Sequence, residues 1–341
     1  MGMNLRYSPL SYDQASGTFD FGGHNVVGAL GECYGKRYFV CGRSGHDAGD
    51  GRTPKKAFKT IEYAMLTQAA HRSSKAYDYD WGDEIIVMPG TYVESMTTNL
   101  TNVTLKGAIT HNPNLVIVTP TDGSAYAGSL DNATIRGMTF RSSNGTNTTY
   151  AAFRAQNMYR SIIDGCIFEA GANIADSTGF RIGLEVGTGT TIYWMQRSRF
   201  TNNLIGTRYS GMNFYYGICF GPTCTTSAYD QYQVMQDSTI GWNDVAAETY
   251  GIEMNVRYTT GSNAMIRNNN VHGGLLYNGN CRYEGIRAYD RGHNNKQIKV
   301  YWNNISAQSD CINGFDSQNV MGNIVGLGSG QGTPADEVMC N

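Results

Sequence analysis

Two glutamates occupy like positions in a repeated motif and could do acid–base chemistry. Glu185 lies in Gly183-Leu184-Glu185-Val186 and Glu253 in Gly251-Ile252-Glu253-Met254, two repeats of 34 residues apart. A pair of carboxylates flanking a glycosidic bond can divide the roles of general acid and general base. If each repeat adds one stacked strand, the two groups stand ~9.6 Å apart, near the upper end of the separation used by inverting glycosidases. A second group, Gln236, Arg267, Tyr301 and Trp302, offers hydrogen-bonding and aromatic surfaces of the kind that grip an extended polysaccharide. Asp47 and Asp50 beside Gly51 could ligate calcium, although a Gly/Asp turn needs no metal. The eight cysteines show no CxxC pair and no metal-like spacing, so they read as free thiols, some of them buried, and no metal or cofactor is expected.

The element that positions these residues is a repeated strand. Leu184, Ile218, Ile252 and Ile286 each follow a glycine at a constant interval of 34 residues. The quartets alternate apolar and other residues, which is strand periodicity, with Leu184 and Val186 on one face and Glu185 on the other. Ala152-Phe153-Arg154-Ala155 reads as an earlier copy and Cys311-Ile312-Asn313-Gly314 as a later, shortened one. Beside each copy lies a pair of apolar residues five positions apart: Ile135/Phe140, Ile163/Phe168, Met195/Phe200, Met235/Ile240, Ile266/Val271 and Val300/Ile305. The same period suits a tetratricopeptide array, but the repeats are rich in Gly, Asn, Thr and Tyr and lack the i, i+3, i+4 pattern of a helix. A repeated strand buries its apolar face only by stacking on its copies, so the chain is expected to be a solenoid of β-coils.

Stacking turns spacing into columns. One outward column reads Arg154, Glu185, Cys219, Glu253, Arg287. Each glutamate then has an arginine on an adjoining coil, which favours the ionised form and an ion-pair ladder, each pair contributing ~0.5 kcal/mol if exposed. A second outward column reads Asp164, Gln196, Gln236, Arg267, Tyr301. Besides glycan binding, a solvated face or a subunit contact would suit it. Asn270, Asn304 and Asn323 form a turn column, with Asn269 and Asn303 in another. Asparagine tolerates left-handed backbone and hydrogen-bonds its stacked copy, so these are expected to be turn ladders.

Residues 37–94 contain Tyr38-Phe39-Val40, a Gly/Asp-rich turn from Gly45 to Gly51, Phe58-Lys59-Thr60-Ile61, and Gly82-Asp83-Glu84-Ile85-Ile86-Val87 running on to Gly90-Thr91-Tyr92. This succession resembles the opening of the right-handed parallel β-helix proteins of the pectin-lyase-like superfamily. The resemblance implies a mainly β, right-handed parallel β-helix with a short N-terminal capping α-helix. Thr60 suits an N-cap, and Ile61, Ala64, Met65, Gln68 and Ala69 share a helical face, so the cap is placed at 60–71, over the exposed end of the solenoid. The superfamily's enzymes also imply catalytic motifs. Polygalacturonase-like hydrolases carry Asn-Thr-Asp, Asp-Asp, Gly-His-Gly and Arg-Ile-Lys. This chain offers only Val271-His272-Gly273-Gly274, and it has no aspartate cluster of the kind calcium-dependent lyases use.

Of the 341 residues 16% are charged, and the net charge of −2 leaves no basic footprint for nucleic acid. No stretch is apolar enough for a membrane span, and the opening residues lack a secretory signal's apolar core. Residues 1–30, with Tyr7, Tyr12, Phe19 and Phe21, read as an aromatic attachment arm ahead of a β-helix over 31–341. The ensemble resembles structural proteins of tailed bacteriophages, which implies a virion spike, fibre or capsid appendage. Such a chain would be a homotrimer, would meet other virion proteins through the arm, and could contact host surface polysaccharide. The alternatives are an extracellular polysaccharide lyase or hydrolase and a non-catalytic glycan-binding module.

Overall fold

The computed structural model describes residues 35–73, 82–142, 151–171, 182–187, 193–206, 214–220, 233–254, 263–273, 281–288, 298–315 and 319–327, together with the backbone of 11–13, 18–21 and 24–27. The chain winds as a right-handed parallel β-helix whose coils present three faces. The first face is a sheet of ten parallel strands, from Arg37–Val40 to Val320–Met321. The second and third faces merge into one network, because strands such as Asp244–Met254 run from one face onto the next.

The core is built from columns of like residues. On the first face Tyr38, Ile85, Leu105, Ile135, Ile163, Phe200, Ile240, Ile266, Val300 and Val320 pair in succession, all buried. The second face contributes Phe140, Phe168, Ile205, Val245, Val271 and Ile305. The third contributes Tyr126, Phe153, Leu184, Ile218, Ile252 and Ile286, so the 34-residue register is the true one. Aromatic rings continue their neighbours' stacks inside the helix, Tyr126 on Phe153 at 4.5 Å and Phe140 on Phe168 at 5.6 Å.

The glycine that opens each quartet has a steric cause. A Cβ on Gly183, Gly217, Gly251 or Gly285 would lie 2.1–2.4 Å from the branched side chain of Ile205, Val245, Val271 or Ile305 respectively. The third face meets the second there, and only glycine leaves room.

Two of the apolar pairs expected from the sequence belong to a different corner. Met195 and Met235 stack with Met158 at the end of the third face, not with Ile163 and Ile266. The true pairs are Phe200/Ile205 and Ile240/Val245. The chain takes five residues from one corner column to the next, as in Met158, Ile163, Phe168, so the same spacing occurs twice per coil and a pair alone does not fix its place.

Corners are turned by single residues in left-handed conformation. Between the first and second faces these are Gly137, Gly165, Asn202, Trp242, Asn268, Trp302 and Gly322, with φ from 54° to 64°. Behind them stands a ladder of Asn203, Asn243, Asn269, Asn303 and Asn323. From Asn243 onward each Oδ1 accepts the backbone N–H and the Nδ2 of the preceding asparagine at 2.8–3.1 Å, and Asn203 Oδ1 accepts the Cys166 N–H. Each Nδ2 also donates to a backbone carbonyl of the preceding coil. Asn323 therefore joins Asn269 and Asn303, and its expected neighbour Asn304 pairs instead with Ile324. Asn270 and Asn304 do stack, at 2.9 Å. At the other corner the buried hydroxyls of Ser161, Ser198 and Ser238 accept backbone N–H groups at 3.1 Å, a ladder the sequence did not suggest.

The helix spans Ile61–Ser73, two residues beyond the expected end, and packs on the first coils. Ile61, Ala64, Met65 and Gln68 are its buried residues. Gln68 is there as a donor, to Asp83 Oδ2 at 3.1 Å and to the Thr101 carbonyl at 3.3 Å. The Glu94 carboxylate takes the N–H groups of Ile61 and Glu62, both at 2.9 Å, so a distant strand turn anchors the helix start. Ahead of the solenoid, Ser11–Asp13, Thr18–Phe21 and His24–Val27 form a separate antiparallel sheet, which places Tyr12, Phe19 and Phe21 on strands. Tyr7 lies outside the described residues.

Gly251→Ala puts a methyl 2.1 Å from Val271 Cγ1 and 2.6 Å from the Gly285 carbonyl oxygen. It is expected to lower stability by about 1–3 kcal/mol, read from the midpoint of urea unfolding. An unchanged midpoint would show that the two faces are not in contact there.

Candidate functional site

Two outward surfaces carry the side chains singled out above. The first is the outer side of the third face. Its strands place Arg154, Glu185, Cys219, Glu253 and Arg287 in one unbroken column, as the spacing required. The column is not solvent-facing, however. Glu185 is 2% and Glu253 0% exposed. Beside the column lies a second apolar cluster, Ala151, Ile182, Tyr216 and Cys219 with Tyr215 and Tyr250 against it. Tyr216 and Tyr250 are stacked at 5.2 Å, and the Arg287 guanidinium lies 4.4 Å from the centre of the Tyr250 ring.

Each glutamate has its expected arginine. Arg154 Nε donates to Glu185 Oε2 at 2.6 Å. Arg287 lies 3.9 Å from Glu253 and 3.0 Å from Glu284. Burial raises the Glu185 pKa and Arg154 only partly opposes it. Burial likewise pushes up the Tyr250 hydroxyl, with Arg287 opposing. The expectation of modest surface pairs is thus corrected: these are buried pairs, whose loss of one partner is far more costly than an exposed pair's.

The second surface runs along the corner between the first and second faces. Arg267 and Tyr301 are ladder neighbours there, in a column that reads Asp164, Thr201, Gly241, Arg267, Tyr301. Gln236 does not belong to it. It pairs with Gln196 at the end of the third face, where Gln196 Nε2 donates to Gln236 Oε1 at 3.1 Å. The corner slip described above removed both glutamines from the stripe. In their place stands Trp242, which the sequence reading passed over. Trp242 and Trp302 are 46% and 58% exposed, Arg267 lies 4.5 Å from the centre of the Trp242 ring, and the Tyr301 and Trp302 rings are 5.6 Å apart. The signal that could have found Trp242 was its place in the corner column, one residue before the asparagine ladder.

The remaining candidates have structural partners. The Asp47 carboxylate accepts from the Lys59 and Thr60 backbones and the Thr60 hydroxyl, and Asp50 from the Arg52 backbone and Lys56. His272 Nε2 lies 3.0 Å from Asp244. Among the described residues no group of three or more His, Cys, Asp or Glu is placed to hold a metal, and no helix is long and apolar enough to cross a membrane. Cys41, Cys166, Cys219, Cys281 and Cys311 are free thiols, and all but Cys41 are buried.

No protein-family model and no curated protein matches the chain. Solved structures do. Pectin methylesterase from carrot aligns over 86% of this chain and 89% of its own at 14% identity, with a TM-score of 0.38. Pectin methylesterase PemA from Erwinia chrysanthemi aligns over 80% and 79% at 12% identity, TM-score 0.41. The Dettilon tailspike protein aligns over 87% of this chain but 53% of its own, at 16% identity and a TM-score of 0.44.

Arg154→Met leaves the buried Glu185 carboxylate without its partner and is expected to cost about 3 kcal/mol at neutral pH. Glu185→Gln should cost less, because the freed guanidinium is 27% exposed and reaches water. Burial holds the folded pKa of Glu185 above its unfolded value, so its contribution is fully present below the unfolded pKa and is lost as pH rises through the folded one. The Arg154→Met penalty should therefore shrink on acidification. Urea unfolding of both variants at neutral and acidic pH checks this, and a penalty indifferent to pH would remove the pairing from the account.

Proposed function

We propose that this chain is a structural β-helix of a tailed-phage particle: a spike, fibre or capsid-attached appendage that docks through its N-terminal segment and meets surface glycans along its coils. The observation that carries this reading is the use made of the outward charges. The glutamates in like positions are buried and tied to arginines on adjoining coils, which makes a stiff ladder and keeps both carboxylates away from a substrate. A sheet of three strands preceding the solenoid, and a helix over its first coils, suit a shaft with a distinct mounting end. Such shafts gain rigidity and an aligned binding surface by trimerising about their long axis.

The purified full-length chain is accordingly expected to sediment at three times its 37.3 kDa mass. A strict monomer at micromolar concentration would overturn the appendage reading.

One observation favours a second reading, a glycan hydrolase or lyase. The raised pKa of Glu185 gives a protonatable carboxyl two coils from Glu253. If that reading is right, capsular or acidic glycans are cleaved, and Glu185→Gln or Glu253→Gln abolishes the cleavage. If cleavage survives both substitutions, these carboxylates have no catalytic part.

A further inference from the structure

The two exposed tryptophans sit where the backbone disfavours them. In the corner column Gly137, Gly165, Asn202, Asn268 and Gly322 meet the left-handed conformation cheaply, whereas Trp242 and Trp302 adopt it at φ 55° and 54°. A bulky side chain there is strained, and nothing in the turn calls for an indole, since glycine and asparagine make the same corner on the adjoining coils. Strain of this kind persists where something else uses the side chain.

The surroundings indicate what that is. Backbone hydrogen bonds from Trp242 to Arg267, from Asn268 to Tyr301 and from Trp302 to Met321 stack the corners directly above one another. The indoles are therefore two coils apart along the solenoid axis, ~9.6 Å by strand spacing. Between them Arg267 lies over the Trp242 ring. Among the described residues no carboxylate pairs with Arg267, and its Nε has no hydrogen-bond partner.

We infer that the Trp242–Arg267–Trp302 corner is a binding stripe for an extended anionic glycan lying along the solenoid axis. The two indoles take the apolar faces of alternate sugar rings, and Arg267 takes an acidic group between them, with Asn268 and Tyr301 beside it for hydroxyls. A single-stranded nucleic acid would also stack on tryptophan, but it needs a run of cations, whereas the net charge is −2 and the next arginine of this column, Arg136, already lies against Asp164. This inference deepens the glycan contact of the appendage reading and rests on it, yet fails separately. That reading falls with a monomeric mass, this one with the titration below.

The full-length protein is titrated with hyaluronan, polygalacturonate and polysialic acid oligosaccharides, with neutral dextran and with single-stranded DNA, following tryptophan fluorescence and heat. At least one acidic glycan is expected to bind and quench. Trp242→Asn and Trp302→Asn should each weaken that binding tenfold or more, while the melting temperature holds or rises because the strain is relieved. Arg267→Gln should remove the preference for acidic over neutral glycan. The inference is overturned by binding to none of the acidic glycans, by equal binding of DNA, or by unaltered affinity in the double tryptophan variant. A fall in melting temperature would make the indoles structural, and a change in native mass would place them in a subunit contact. Either result overturns it too.

Discussion

Everything in this molecule follows from the need for each coil to return to the same path one strand spacing further on. In such a stack a residue meets its own counterpart above and below, so any group that cannot tolerate its like must be relieved at each level. Apolar residues gain from the arrangement, as the aromatic columns from Tyr126 to Phe200 illustrate. Sharp corners do not, because they turn backbone N–H groups away from the sheet hydrogen bonds and toward the interior. The buried asparagine ladder answers this: each amide supplies an acceptor to the N–H of one coil and a donor to a carbonyl of the same coil. At the opposite corner the serine ladder also accepts an N–H of the preceding coil, while Ser161 and Ser198 donate to a carbonyl of their own coil two residues back. A buried N–H left without such a partner costs ~1–3 kcal/mol, and the loss would recur along the column.

The same stacking governs charge. Glu185 and Glu253 lie in one column with a single residue, Cys219, between them, and Arg154 and Arg287 close the ends. Further toward the N-terminus the fully buried Glu84 lies between Arg37 and Lys106. In both places a carboxylate is removed from water only where a cation from a neighbouring coil accompanies it. Burial strengthens these pairs by excluding solvent, and the same exclusion makes each carboxylate costly to isolate.

How much of this the sequence disclosed depended on whether a feature repeats with an unambiguous period. The quartets were legible because the glycine that opens each one is forced by contact with the second face, and the interval between copies stays constant. From them the Arg154–Glu185 and Glu253–Arg287 neighbours followed correctly. The pairs five residues apart were legible only in part, because two successive corners use the same step; Met195 and Met235 were read one corner out of place, and Gln236 went with them. Burial of Glu185 was not legible, since alternation along a strand shows which side a residue faces and not what lies on that side. Cys219, a small apolar residue in the outward column, was the hint that this side is buried. The strands containing Tyr12, Phe19 and Phe21 were missed because they belong to no repeat and are short.

Repetition also separates what the fold needs from what it merely permits. A structural demand in a solenoid recurs on every coil, so residues that meet it come in columns: the glycines of the quartets, the asparagines behind one corner, the serines behind the other. Gln236 has its copy in Gln196 and bonds to it, which accounts for both. The tryptophans at 242 and 302 break a column that is otherwise glycine and asparagine, and they do so in a backbone conformation that penalises them. Arg267 breaks its own column too, following Thr201 and Gly241 with a guanidinium that no carboxylate pairs with among the described residues. Residues that the stack does not require, and two of which it resists, are the ones whose presence has to be explained by something outside it.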